Sequence, residues 1–79
     1  MGKIGVNIKK IRELRNYSRL YMAMELKLSI NTYGKIERND INLSIKRLDE
    51  IARILEVGTH LLLEFDEKKV LAVLGKEDA

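Results

Sequence analysis

The 79-residue chain contains no cysteine and no proline. Without cysteine it can form neither a disulfide nor a cysteine-based zinc site, the two staples on which small folds often rely. Without proline, and with only 5 glycines, it lacks the composition of collagen, of linkers and of turn-dense all-β domains. Its single histidine cannot assemble a metal cluster alone. No apolar run approaches the roughly 18 residues of a membrane span, and residues 1–6 lack the apolar stretch of a secretory leader. Together these absences predict a soluble, helix-rich, cytoplasmic domain that does not contact a membrane.

Hydrophobic residues make up 46% of the chain and charged residues 34%, the balance of a globular domain and not of a disordered one. The length allows one small domain, which buries only about 60–65% of its unfolded surface and so has a marginal core. The net charge of +3 is unevenly spread. Residues 1–38 carry nine basic side chains (Lys3, Lys9, Lys10, Arg12, Arg15, Arg19, Lys27, Lys35 and Arg38) against three acids. Residues 39–79 carry six basic side chains against nine acids. A basic half joined to an acidic half suits a domain that turns one face to a polyanion.

The apolar spacing is helical throughout. Ile4, Ile8 and Ile11 stand at i, i+4 and i+7, which predicts an amphipathic first helix over 6–15. Ser18, Ser29 and Ser44 are candidate N-caps for a second helix to about 26, a third over 30–38 and a fourth over 45–56. Asn39 tolerates the left-handed conformation that ends helices, and Gly58 is expected to terminate the fourth. A short fifth helix spans 60–64, and the tail from 65 is either a sixth helix or an extended arm. Only about two residues separate the second helix from the cap of the third. So short a joint forces a sharp angle, the helix-turn-helix arrangement, whose second helix can lie in the major groove of DNA.

The run Ser18-Arg19-Leu20-Tyr21-Met22-Ala23-Met24-Glu25-Leu26-Lys27-Leu28-Ser29-Ile30-Asn31-Thr32-Tyr33-Gly34-Lys35-Ile36-Glu37-Arg38-Asn39 resembles the Cro/C1-type (XRE) helix-turn-helix family. That family's pattern reads roughly S-Q-E-E-L-A-x-K-L-G-V-S-x-S-T-I-S-x-I-E-R-G. The upstream Ile4-Gly5-Val6-Asn7-Ile8-Lys9-Lys10-Ile11-Arg12 is similar to the family's first helix, and Leu48-Asp49-Glu50-Ile51-Ala52-Arg53-Ile54-Leu55-Glu56-Val57 to its fourth. The resemblance covers about residues 4–63. It implies an all-α, compact bundle of about five helices at 4–64, followed by a tail at 65–79 that serves as a dimerisation element. It also implies a bacterial or phage transcriptional regulator, a repressor that binds a palindromic operator in double-stranded DNA as a homodimer. Antitoxins and restriction–modification controller proteins share the pattern, so a protein partner such as a toxin or the polymerase stands as the alternative.

The resemblance further implies residue roles. Arg12 and Glu37 would form an ion pair between the first and third helices. Ile30, Asn31, Thr32 and Lys35 would face the bases: Asn can pair with adenine, Ile can touch a thymine methyl and Lys can reach guanine. Arg19, Ser29, Arg38, Asn39 and Lys46 would hold phosphates. Leu61, Leu62, Leu63, Phe65, Val70, Leu71 and Leu74 are too many to face one small core and are the expected dimer interface. Some positions depart from the pattern. Lys27 replaces the glycine of the turn and is strained if φ is positive there. Gly34 sits inside a helix, at a position where the family often has serine. Leu20, Tyr21 and Met24 occupy polar positions, which leaves the second helix apolar almost all round, and the tail is expected to cover it. The chain has no cysteine nucleophile, no glycine-rich phosphate loop and no metal-ligand spacing. His60 and Glu64 read as a surface pair. An enzyme is not expected, nor any metal or cofactor.

Overall fold

Serine hydroxyls start three of the helices. The computed structural model describes residues 3–75, and within them lie α1 (Ile4–Leu14), α2 (Arg19–Leu26), α3 (Ile30–Glu37), α4 (Ile45–Leu55), α5 (His60–Leu63) and α6 (Glu67–Leu74), with no strand. Ser18 Oγ accepts from the Tyr21 N–H at 2.9 Å, Ser29 Oγ from Thr32 N–H at 3.1 Å and Ser44 Oγ from Arg47 N–H at 3.1 Å. Each hydroxyl satisfies one of the donors that a helix start leaves unpaired. Asp66 does the same for α6 through the Lys69 N–H. The tail is therefore a helix over these residues and not an extended arm; residues 76–79 of the 65–79 segment lie outside the described residues.

The first four helices stop in one way, and none uses glycine. Asn16, Lys27, Asn39 and Glu56 all have φ near +60°. The next residue's N–H then reaches back five positions: Tyr17 to Arg12 O, Leu28 to Ala23 O, Asp40 to Lys35 O and Val57 to Ala52 O. This is the Schellman closure, which is commonly accompanied by an apolar contact just beyond the turn. Tyr17, Leu28 and Val57 supply that contact by packing against the core. Helix α4 thus ends at Leu55, one residue short of the expected 56, and Glu56 rather than Gly58 takes the terminating left-handed conformation, with Val57 packed inward.

Ile8, Ile11, Met22, Tyr33, Ile36, Ile51, Leu55, Leu61, Leu62 and Val70 are essentially inaccessible to solvent. Ala23 is buried on the inner side of α2. Leu61, Leu62 and Val70, expected at a dimer interface, are instead part of this core. Two of the three leucines of the four-residue α5, Leu61 and Leu62, face inward, while Leu63 stays exposed. Asn7 Nδ2 donates to Leu62 O at 2.9 Å and ties α5 to α1. Arg15 Nε donates to Leu55 O at 2.7 Å, placing a cation at the carbonyl end of α4, where the helix dipole favours it. Phe65 and Leu74 also pack on the core, and Lys10 Nζ stands 5.2 Å from the Phe65 ring centre. The tail therefore lies beside α1 and leaves α2 uncovered: Leu20 is 55% and Met24 67% exposed.

Candidate nucleic-acid interface

The turn between α2 and α3 holds only Lys27, Leu28 and Ser29. Lys27 adopts φ 59° and ψ 41°, and Leu28 is half-buried against the core. The chain therefore reverses sharply, and α3 lies across α2 with one side free. Tyr33, Ile36 and Glu37 face inward. Ile30, Asn31, Lys35 and Arg38 are exposed, and at 100° per residue Asn31, Lys35 and Arg38 fall opposite the core face.

An ion pair immediately beneath sets the rotation of α3. Arg12 Nε donates to Glu37 Oε2 at 2.6 Å and Nη2 to Oε1 at 3.2 Å, while Nη1 donates to Tyr17 O at 2.9 Å. The side chains are 9% and 6% exposed. Tyr33 Oη donates to the same Glu37 carboxylate. Burial works against the Arg12 charge, but the hydrogen bond and attraction from Glu37 outweigh it and raise its pKa. Burial first, and then the bond to Glu37, push the Tyr33 phenol far above its ordinary value. Within this network each polar group is paired, so α3 cannot roll to hide its outer face without breaking it.

The sequence-predicted contact residues fall into three groups. Asn31 and Lys35 lie on the outer face of α3, and Ile30 is exposed at its N-terminal end, on the flank. Thr32 sits at its flank, half-buried, its Oγ1 accepting from Ser29 Oγ at 2.9 Å; it borders a groove with Leu28, Leu43 and Arg47. Arg19 and Lys46 are exposed in the first turns of α2 and α4. Asn39 is exposed, and its Oδ1 accepts from the Gly5 N–H at 2.7 Å, joining the start of α1 to the end of α3. Arg38 Nε meets Asp40 Oδ2 at 3.2 Å.

Sequence reasoning missed the part played by Gly5. A Cβ there would lie 2.4 Å from Ile36 O and 2.6 Å from Glu37 O, so only glycine lets α1 touch the end of α3. The available signal was a glycine inside a helical pattern. Among the described residues no His, Asp or Glu cluster could hold a metal ion, and no helix is long and apolar enough to cross a membrane.

The profile of a helix-turn-helix family matches residues 8–62, a span running from the buried Ile8 of α1 to the buried Leu62 of α5. No curated protein and no solved structure matches the chain. With its short α2–α3 joint, its locked and outward-facing α3 and this match across most of its length, the chain belongs to the Cro/C1-type (XRE) helix-turn-helix family of DNA-binding regulators.

Proposed function

We propose that the protein is a sequence-specific transcriptional repressor that binds a palindromic operator as a homodimer. The observation that carries this reading is the unsealed outer face of α3, where Asn31 and Lys35 are exposed, with Ile30 exposed on the flank, above a fully paired Arg12–Glu37–Tyr33 network. In the major groove Asn31 would pair with an adenine, Ile30 would meet a thymine methyl and Lys35 would donate to a guanine. Thr32 contributes from the flank. Arg19, Lys46 and the start of α3 at Ser29 would bind phosphates on either side, which fixes register without reading sequence. Asn39, exposed at the end of α3, stays in the proposed phosphate set: the bond from Gly5 engages its carbonyl oxygen, whereas a phosphate would accept from its amide N–H.

Binding to a randomised duplex pool tests this. One enriched sequence is expected. Asn31→Ala should relax preference at one base pair, and Arg19→Ala should weaken all duplexes and reduce the salt slope by about one. Enrichment of no sequence, with no salt-sensitive binding, would overturn the reading. A second reading, an antitoxin or controller protein that also grips a protein, is favoured by the bare apolar side of α2 at Leu20, Tyr21 and Met24. It expects a stoichiometric partner that Met24→Lys releases while DNA preference stays intact.

A further inference from the structure

Arg38 was expected to hold a phosphate, but its surroundings suit a different task. Its side chain runs back along α3 by one turn and lies over Gly34. A Cβ built on Gly34 would stand 3.0 Å from Arg38 Nη1, 3.8 Å from Cζ and 3.9 Å from Nη2. Gly34, on the flank of α3 beside Asn31, is buried, and the atoms nearest to a Cβ built there all belong to Arg38. Glycine inside a helix costs about 1 kcal/mol against alanine, and here the missing Cβ leaves room for a guanidinium that a side chain at residue 34 would crowd at Nη1. The charged end of Arg38 is thereby brought forward from the end of α3 to the level of residue 34. There it stands alongside the ridge of Asn31 and Lys35, the two polar side chains on the reading face.

Asp40 completes the arrangement. Its carboxylate takes Nε at 3.2 Å, while Nη1 and Nη2 lie beside Gly34. Both partners are more than half exposed, at 59% and 56%, so the pair adds little to stability. It does affect what Arg38 can bind. A carboxylate fixed to an arginine repels a phosphate and cancels much of the attraction on which a phosphate clamp depends. The edge of a guanine is uncharged and presents two acceptors, O6 and N7, that match a guanidinium edge held in one orientation.

We propose that Arg38 reads a guanine in the major groove, with Asp40 and Gly34 as its positioning residues. The proposal rests on the DNA-binding reading above, and one experiment separates the two. The full-length protein and the variants Arg38→Ala, Arg38→Lys, Asp40→Asn and Gly34→Ala are each given the same randomised duplex pool, and affinities for the enriched duplex and its single-base changes are measured against salt. Arg38→Ala and Arg38→Lys should each lose about 5- to 150-fold discrimination at one G·C pair and keep the preference at every other position. Asp40→Asn should weaken discrimination at that same pair without tightening binding to other duplexes. Gly34→Ala, by displacing Nη1, should do the same with an unchanged circular-dichroism spectrum. If Asp40→Asn instead tightens binding to all duplexes alike, and Arg38→Ala lowers the salt slope while every base preference survives, Arg38 is a phosphate clamp and the proposal fails. If the unmodified protein enriches no sequence, the DNA-binding reading fails with it.

Discussion

Single residues of the domain carry measurable strain or coupling. Lys27 holds a left-handed backbone at φ 59°, a conformation that costs an L-residue roughly 1–2 kcal/mol and glycine almost nothing. Lys27→Gly loosens the unfolded chain as well, so the net gain should be about 0.5–1 kcal/mol in urea unfolding. The opposite sign holds in the buried network. Arg12→Met would leave the Glu37 carboxylate buried beside the Tyr33 hydroxyl alone, at a cost of about 3–5 kcal/mol. The double variant Arg12→Met/Glu37→Met should cost less than Arg12→Met, because no charge is stranded; a double-mutant cycle measures the difference. Tyr33 adds a pH signature. Its folded-state pKa is raised by burial and by the bond to Glu37, whereas the unfolded phenol deprotonates near pH 10. The unfolded state thus loses a proton that the folded state keeps, so the phenol's stabilisation is complete below about pH 10 and declines above it. The stability gap between the natural protein and Tyr33→Phe should be constant from pH 7 to 9 and narrow above pH 10. A gap that stays constant to pH 11 would mean the phenol is not protected.

At the scale of elements, the joint between α1 and α3 depends on the smallest side chain. Gly5→Ala would press a methyl against the backbone oxygens of Ile36 and Glu37, and backbone yields less readily than a side-chain tip. Destabilisation of about 1–3 kcal/mol is expected from such overpacking, with part of it appearing as weaker DNA binding, since α3 would shift. This contact was not legible in the sequence, where Gly5 belongs to an ordinary amphipathic pattern; it depends on how two helices 30 residues apart meet. The helix starts were legible because Ser18, Ser29 and Ser44 act locally, through an N–H three residues on. The helix ends were only partly so. Asn39 was recognisable from its own chemistry, but Glu56 was not, because its conformation is set by Val57 reaching the core. The tail's helix follows the Asp66 cap, while its position beside α1 is a tertiary fact. On the proposed reading face, Asn31 and Lys35 were legible through the family resemblance and their place in the third helix. The fold of Arg38 over Gly34 was not, since it requires knowing which way a long side chain lies.

The whole molecule has to explain the apolar surface left over once the core is full. Leu61, Leu62 and Val70 are spent inside, so a dimer built on the end of the chain must use what remains outside: Leu63 at 54% and Val73 at 52% exposure, with the half-buried Phe65, Leu71 and Leu74 beside them. For a two-fold pair meeting there to read a palindrome, its two copies of α3 would have to stand about 34 Å apart to enter successive major grooves. Leu63→Lys and Val73→Lys change residues already in water, so thermal unfolding of the single chain should move little. Sedimentation should show the natural protein at twice the monomer mass and the double variant at the monomer mass. The variant's affinity for one half-site should be unchanged, while its affinity for a duplex carrying both should fall by about 100-fold or more, because the second half-site is no longer engaged in tandem. Equal mass for both proteins, with equal loss on one and two half-sites, would remove this face from the assembly and leave the bare side of α2 as the surface where the protein meets a partner.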